Sequence, residues 1–230
     1  MRLKELREEV LEANFELVRQ GLVLYTFGNV SGISRQEGLI AIKPSGVAYD
    51  RMKAADIVIT DMKGTVVEGS LRPSSDLPTH VVLYEKFFSI GGVAHTHSES
   101  ATAWAQAMRP IPCFGTTHAD YFYGSIPVTD CLDPIEIKGE YETNTGLAIA
   151  KAFSGTPAEN MPAVLVAGHG PFTWGSSATD AAHNAAILES VARMAFHTVG
   201  LNSKAGPISK ELQDKHYFRK HGSNSYYGQK

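Results

Sequence analysis

The segment Gly91-Gly92-Val93-Ala94-His95-Thr96-His97-Ser98 places the tightest limit on how this chain can fold. Two glycines punctuate the entry to a short apolar run, and Val93 and Ala94 read as a buried strand. Side chains alternate between faces along a strand, so His95 and His97 share one face, about 7 Å apart along the backbone. Side by side on a rigid element, two imidazoles can converge on one divalent ion at Zn–N distances near ~2.0–2.1 Å. The pair also admits a plainer reading, two half-buried histidines each bonded to a carbonyl. A third ligand decides between them.

His169 offers that ligand, in Val164-Leu165-Val166-Ala167-Gly168-His169-Gly170-Pro171. An apolar strand over 163–167 runs into a glycine-flanked histidine and is stopped by Pro171. Glycines on both sides leave the backbone free to approach an ion or a substrate closely. Taken alone, His169 reads equally as a turn residue with no task. With His95 and His97 it suggests a three-histidine centre with an open position, the catalytic zinc pattern, whereas structural zinc is closed and Cys-rich. The two cysteines, Cys113 and Cys131, form no Cys-x-x-Cys motif and supply no competing site.

Composition narrows the partners. The 230 residues, 43% hydrophobic, suit a single domain over 1–230, with no linker, repeat or low-complexity tract. A net charge of −3, from 24 acids against 21 bases with no basic stretch, argues against a nucleic-acid partner. No apolar run approaches the ~20 residues that span a bilayer, so no membrane partner is expected. Residues 1–9 are too charged for a signal peptide, and so few cysteines suit a reducing cytoplasm.

Leu3, Leu6, Val10, Ala13 and Leu17 recur at helical spacing, and Gly21 closes that helix. Residues 30–34, 39–43 and 56–60 read as strands, and Lys63-Gly64 turns the chain into a hairpin at Val66-Val67. Ser75 or Asp76 caps a helix over 78–88, with Pro78 in its first turn. A helix capped by Ser98 carries 101–108. One helix over 134–153, strands at 163–167 and 172–174, and a long helix over 178–199 complete the pattern. The expectation is an α/β fold of three layers, αβα, whose central mixed but mostly antiparallel sheet is flanked by helices. Trp104 and Trp174 read as core, and His80 and His183 as ordinary helix residues. His118 reads equally as structural or as support for a nearby site.

Three loops look chemical. Lys43-Pro44-Ser45-Gly46-Val47 ends a strand with a cation, a hydroxyl and a flexible backbone. Arg72-Pro73-Ser74-Ser75-Asp76 sets two hydroxyls at a helix N-terminus, where free N–H groups favour an anion. Gly28-Asn29-Val30-Ser31 is a third small polar loop. Each alone reads more simply as a turn or a cap; together, beside a metal centre, they suggest a phosphorylated substrate.

These segments, with Gly115-Thr116-Thr117-His118-Ala119-Asp120, His169-Gly170-Pro171, Asp214-Lys215-His216-Tyr217-Phe218-Arg219 and Tyr226-Tyr227-Gly228-Gln229, give the chain a resemblance to the class II aldolase and sugar-phosphate epimerase superfamily over nearly its whole length. The resemblance implies a zinc ion, with Mn2+ or Co2+ as substitutes, on His95, His97 and His169, and Asp76 as fourth ligand or close neighbour. It implies substrate contacts from Gly28, Asn29, Lys43, Ser45, Gly46, Ser74 and Ser75. Asp120 and Tyr227 would be acid/base groups on opposite sides of the substrate, with His216 and Arg219 reaching a neighbour's substrate in a cyclic homotetramer. The Thr-Thr-His-Ala-Asp segment and the Tyr-Tyr-Gly tail are similar to those of the epimerase branch. That branch inverts C4 between L-ribulose 5-phosphate and D-xylulose 5-phosphate by C3–C4 cleavage and re-addition, in arabinose- or ascorbate-type pentose catabolism. Two other activities share the fold. Aldolases such as fuculose-phosphate aldolase carry Glu where Asp76 stands, and adducin-type binding modules lack the histidines. Ala167-Gly168 before His169 is a local departure from relatives with more polar residues there.

Overall fold

The computed structural model describes residues 2–222 and 225–228; Met1 and Gln229, at the two ends of the segments read above, lie outside them. The chain runs through α1 (Lys4–Arg19), β1 (Asn29–Ser34), β2 (Leu39–Ile42), β3 (Val58–Asp61), β4 (Val66–Glu68), α2 (Leu77–Lys86), β5 (Gly92–His95) and α3 (Glu99–Gln106). It continues with α4 (Thr116–Ala119), α5 (Pro134–Lys138), α6 (Tyr141–Ala152), β6 (Ala163–Leu165), β7 (Pro171–Gly175), α7 (Ala178–Leu201) and α8 (Lys210–Lys220). The strands form one seven-stranded sheet in the order β4-β3-β2-β1-β5-β7-β6. Every neighbouring pair in it is antiparallel. Parallel pairing among the described residues is confined to an isolated bridge between Val128 and Leu165.

Both faces of the sheet are covered, and strand alternation sorts the side chains between two cores. Leu39 and Ala41 of β2, Ile59 of β3 and Ala94 of β5 pack with Val10, Ala13 and Leu17 of α1 and with Ala178, Ala181 and Ala182 of α7. Their neighbours Ile40, Ile42, Val58 and Val93 face the opposite way, onto Leu83 and Tyr84 of α2, Trp104 of α3 and Ile149 of α6. The second half of α7 joins this other layer through Leu188, Val191 and Ala195, so α7 crosses from one core to the other. This is the three-layer αβα arrangement expected from the sequence, with Trp104 and Trp174 in its core.

Local chemistry accounts for the boundaries. Gly21 adopts φ +67°, and Gly21 N–H and Leu22 N–H donate to the carbonyls of Val18 and Leu17, closing α1 as a Schellman motif. The helix expected over 134–153 is instead two. Asp133 and Glu136 form a reciprocal capping box that starts α5, and the chain breaks at Gly139 before α6 begins. Ser98 was expected to cap α3, but its hydroxyl makes no capping bond. The tail segment 210–220 forms a helix that the apolar pattern did not announce, because only Tyr217 on it is buried. No described helix is long and apolar enough to cross a membrane.

Gly92 is where β5 passes the start of α7, and a Cβ there would run into the backbone of Ser177 and Ala178. Gly92→Ala should therefore lower stability by about 1–3 kcal/mol, the ordinary cost of overpacking, read as a fall in the urea midpoint at unchanged slope.

Candidate metal centre

The register of the sheet assembles the site. Asn29 of β1 lies opposite His95 of β5, and His95 lies opposite Phe172 of β7. The His95 ring stacks on Phe172 with centroids 4.2 Å apart and planes 18° from parallel. Its Nδ1 lies 2.9 Å from the carbonyl oxygen of Pro171. A carbonyl can only accept, so Nδ1 carries the proton and Nε2 presents a lone pair. That Nε2 faces Nε2 of His97 at 3.1 Å.

β5 ends at His95, so His97 is held by the following turn and not by the strand, but the two rings still meet at 4.9 Å. His169 sits in a tight turn in which His169 N–H donates to Val166 O and Val166 N–H to Gly170 O. Gly170 permits this turn to press on the other, since a Cβ there would lie 2.8 Å from Thr96 O. His169 then stands 4.8 Å from His95 and 5.0 Å from His97 between ring centroids. One nitrogen from each of the three rings falls within 4.8 Å of the other two.

Burial pushes the His95 imidazole down to about 3, against the opposing pull of Asp76. Burial, with His97 beside it, also lowers His169. Neutral imidazoles with converging lone pairs fit a divalent cation, and the Pro171 carbonyl supplies the outer hydrogen bond that orients a ligating histidine. Tyr141 Oη plays a similar part at 3.3 Å from Nδ1 of His169. No motif or spacing marks this tyrosine, which begins α6 inside what reads from sequence as one continuous helix.

Asp76 borders the centre without joining the three-nitrogen set. It stands at the head of α2 but makes no side-chain cap. Its Oδ2 instead accepts from Asn29 Nδ2 at 2.6 Å. Burial raises its pKa, but His95, His80 and the Asn29 amide outweigh that and hold the carboxyl below the usual range.

The histidines open into a cavity of about 360 Å³ that also receives Gly28, Asn29, Lys43, Ser45, Gly46, Ser74, Ser75 and Asp76. Two of the loops singled out in the sequence are stitched together here. Pro44 and Pro73 form an antiparallel bridge, Ser45 N–H donates to Arg72 O at 2.9 Å, and Ser74 N–H to Lys43 O at 3.0 Å. Lys43 is 2% exposed, with Nζ donating to Thr26 O at 3.2 Å and lying 4.7 Å from the Tyr49 ring centroid. Burial pushes this ammonium down to about 8, with Asp76 opposing. Gly28 adopts φ +76°, and a Cβ on it would meet Val23 and the carbonyl of His95, so backbone conformation and packing both call for glycine.

Asp120, His216, Arg219 and Tyr227 form a separate cluster that does not line this cavity. Arg219 donates to Asp120 through Nε at 3.1 Å and Nη2 at 2.7 Å. His216 Nδ1 lies 3.1 Å from Oδ1 and Lys220 Nζ 3.7 Å from Oδ2 of Asp120. Burial raises the Asp120 pKa, but Arg219, His216 and Lys220 overcome it and hold the carboxyl low. The Tyr227 ring lies 5.0 Å from Arg219 Cζ and 4.5 Å from Lys220 Nζ.

A family model described as Class II Aldolase and Adducin N-terminal domain matches residues 8–196. The chain is 54% identical over 228 residues to L-ribulose-5-phosphate 4-epimerase UlaF of Salmonella paratyphi B (strain ATCC BAA-1250 / SPB7), covering 99% of this chain and 100% of that one. It is likewise 54% identical, with the same coverage, to the UlaF protein of the same name from Salmonella typhi. Among solved structures, an L-fuculose 1-phosphate aldolase superposes with a TM-score of 0.80 at 26% identity, covering 92% of this chain and 94% of that one. The L-fuculose 1-phosphate aldolase from Glaciozyma antarctica PI12 shares the fold, with a TM-score of 0.74 at 17% identity over 96% of this chain and 84% of that one.

His118, two residues before Asp120, turns inward and is 3% exposed. Its Nε2–H donates to Gly124 O at 2.8 Å and its ring meets Phe122 edge to face. Nδ1 has no partner, so protonation would add an unsatisfied buried donor. Burial accordingly pushes the imidazole down to about 4. The unfolded chain takes up this proton near pH 6.5, before the folded one does. The stability contributed by the neutral ring is complete above that pH and is lost as pH falls toward 4. Between pH 7.5 and 4.5, the wild type should lose about 2–3 kcal/mol more than His118→Gln, measured by urea unfolding at each pH.

Proposed function

The chain belongs to the class II aldolase and adducin N-terminal domain family, and from this membership we propose that it is a metal-dependent L-ribulose-5-phosphate 4-epimerase. The observation that carries the reading is that three convergent histidines and two joined loops bearing Lys43, Ser45, Ser74 and Ser75 open into one cavity. Zinc suits an imidazole set with an open position, and Mn2+ or Co2+ can substitute.

The reaction explains why these residue types are needed together. C4 of a ketopentose 5-phosphate is not alpha to the C2 carbonyl, so its hydrogen cannot be removed as a simple acid. Cleaving the C3–C4 bond avoids the difficulty, because the bonding pair stays with the C1–C3 fragment as an enediolate and C4 becomes the aldehyde carbon of glycolaldehyde phosphate. A divalent ion on His95, His97 and His169 would supply Lewis acidity to the C2 and C3 oxygens. Lys43, with the hydroxyls of Ser45, Ser74 and Ser75 and the N–H groups of Gly46 and Ser75, holds the phosphate while the aldehyde turns over. Asn29 and Gly28 line the same cavity, with Asn29 also orienting Asp76.

Inversion needs a base that takes the O4 proton during cleavage and an acid that returns one on the other side during re-addition. Asp120 and Tyr227 fill these roles, with His216 and Arg219 holding them toward the substrate. Within one chain this cluster lies outside the cavity, which supports a site completed by a neighbouring subunit of a cyclic homotetramer. The enzyme would act in the cytoplasm on arabinose- or ascorbate-derived pentose phosphates. The aldolase alternative is disfavoured by the 54% identity to named epimerases over 228 residues, against 26% to the solved aldolase.

Zinc-loaded protein should convert L-ribulose 5-phosphate to D-xylulose 5-phosphate in a coupled assay, with little free glycolaldehyde phosphate. Accumulation of that aldehyde would assign an aldolase instead. Elemental analysis should find about one zinc per chain, and His97→Asn should lose most of it. Tyr227→Phe should retain metal and lose about 10²–10⁴-fold in kcat. Co-expressing the His97→Asn and Tyr227→Phe chains should restore activity that neither has alone. No recovery in verified mixed oligomers would exclude the shared site.

A further inference from the structure

The first turn of α3 is bound by a side chain from far along the sequence. Glu189, on α7, accepts from Ser100 N–H through Oε1 at 2.8 Å and from Ala101 N–H through Oε2 at 2.9 Å. These are two of the free N–H groups that open every helix, and a carboxylate there also meets the positive end of the helix dipole. Ser98, the local residue placed to cap, leaves them unclaimed and receives a hydrogen bond from Thr96 Oγ1 instead.

α3 is also the strut between the two loops that carry the histidines. Its first residue, Glu99, follows His97 by one position beyond Ser98. At its other end the carbonyl of Ala105 accepts from Gly168 N–H at 3.0 Å, immediately before His169. The two loops meet directly through Thr96 N–H and Pro171 O at 3.4 Å. A displacement of α3 would therefore move His97 and His169 by different amounts while His95, fixed in β5, stayed in place.

We infer that Glu189 is a positioning residue for the metal centre, holding α3 at the register that brings His97 and His169 onto His95. It touches neither ion nor substrate and acts through the helix it caps. The inference rests on the metal reading above and extends it to a residue outside the cavity. Gln at this position would turn an N–H donor toward one of the two backbone donors and remove the charge. Asp would keep the charge but fall short by one methylene.

The test is titration of metal-free full-length protein with Co2+, followed by visible absorption and by competition with a chelator, alongside urea unfolding. Glu189→Gln should bind Co2+ about tenfold or more weakly, as expected when an outer support of a metal site is lost, with a changed absorption band. Glu189→Asp should fall between it and the wild type, and carries the test if the Gln variant does not fold. Ile59→Val, in the opposite core, supplies a destabilised comparison that should keep wild-type affinity and spectrum. Wild-type affinity and spectrum in both Glu189 variants, with only stability reduced, would make Glu189 a helix cap and overturn the inference. Absence of Co2+ binding by the wild type would overturn the metal reading, and this inference with it.

Discussion

Three imidazoles within 4.8 Å of one another cannot all be charged, and burial lowers the pKa of two of them, His95 and His169. Once His95 is stacked on Phe172 and its Nδ1 is committed to Pro171 O, its remaining nitrogen has a lone pair with only another imidazole in front of it. A cation between the rings would engage the nitrogens that converge there. Gly170 allows the turns of His97 and His169 to touch, and the antiparallel pairing of β5 with β7 sets Phe172 beneath His95.

The rest of the cavity answers a different electrostatic problem. An ammonium as buried as Lys43 is costly, and the site offsets that cost with a carbonyl, the face of Tyr49 and the field of Asp76. A phosphate arriving beside it would restore the missing counter-charge. Asp76 links the two halves, since its carboxylate is drawn toward the histidines on one side and fixed by Asn29 on the other. The three-histidine cluster and the buried ammonium of Lys43 thus share one acidic neighbour. Asp120, by contrast, is saturated by the cations of α8 within its own chain, a geometry that keeps the cluster ordered apart from the cavity.

Several features were open to reading in the sequence because they are local. Alternation placed Leu39 and Ala41 opposite Ile40 and Ile42, Gly21 marked the end of α1, and His95 marked the end of β5. Other features were hidden for specific reasons. The break between α5 and α6 depends on Gly139, a residue that a helix can tolerate. α8 is polar on nearly every face and has no apolar period to detect. Ser98 has the composition of a cap, but a carboxylate 89 positions away from Ser100 satisfies the helix instead. Local propensity proposes such partners, and packing decides whether a stronger one arrives.

By itself the sequence determined the two-faced apolar strands, the three histidines with their flexible flanks, and the loops able to take an anion, since each depends on spacing within a few residues. The tertiary structure alone decided that His169 meets His95 and His97, that Tyr141 bonds the outer nitrogen of His169, and that Glu189 holds α3. It also decided that Asp120 and Tyr227 stand with α8, away from the cavity. These contacts join segments far apart along the chain, and their geometry follows from strand register, helix packing and the desolvation of charge.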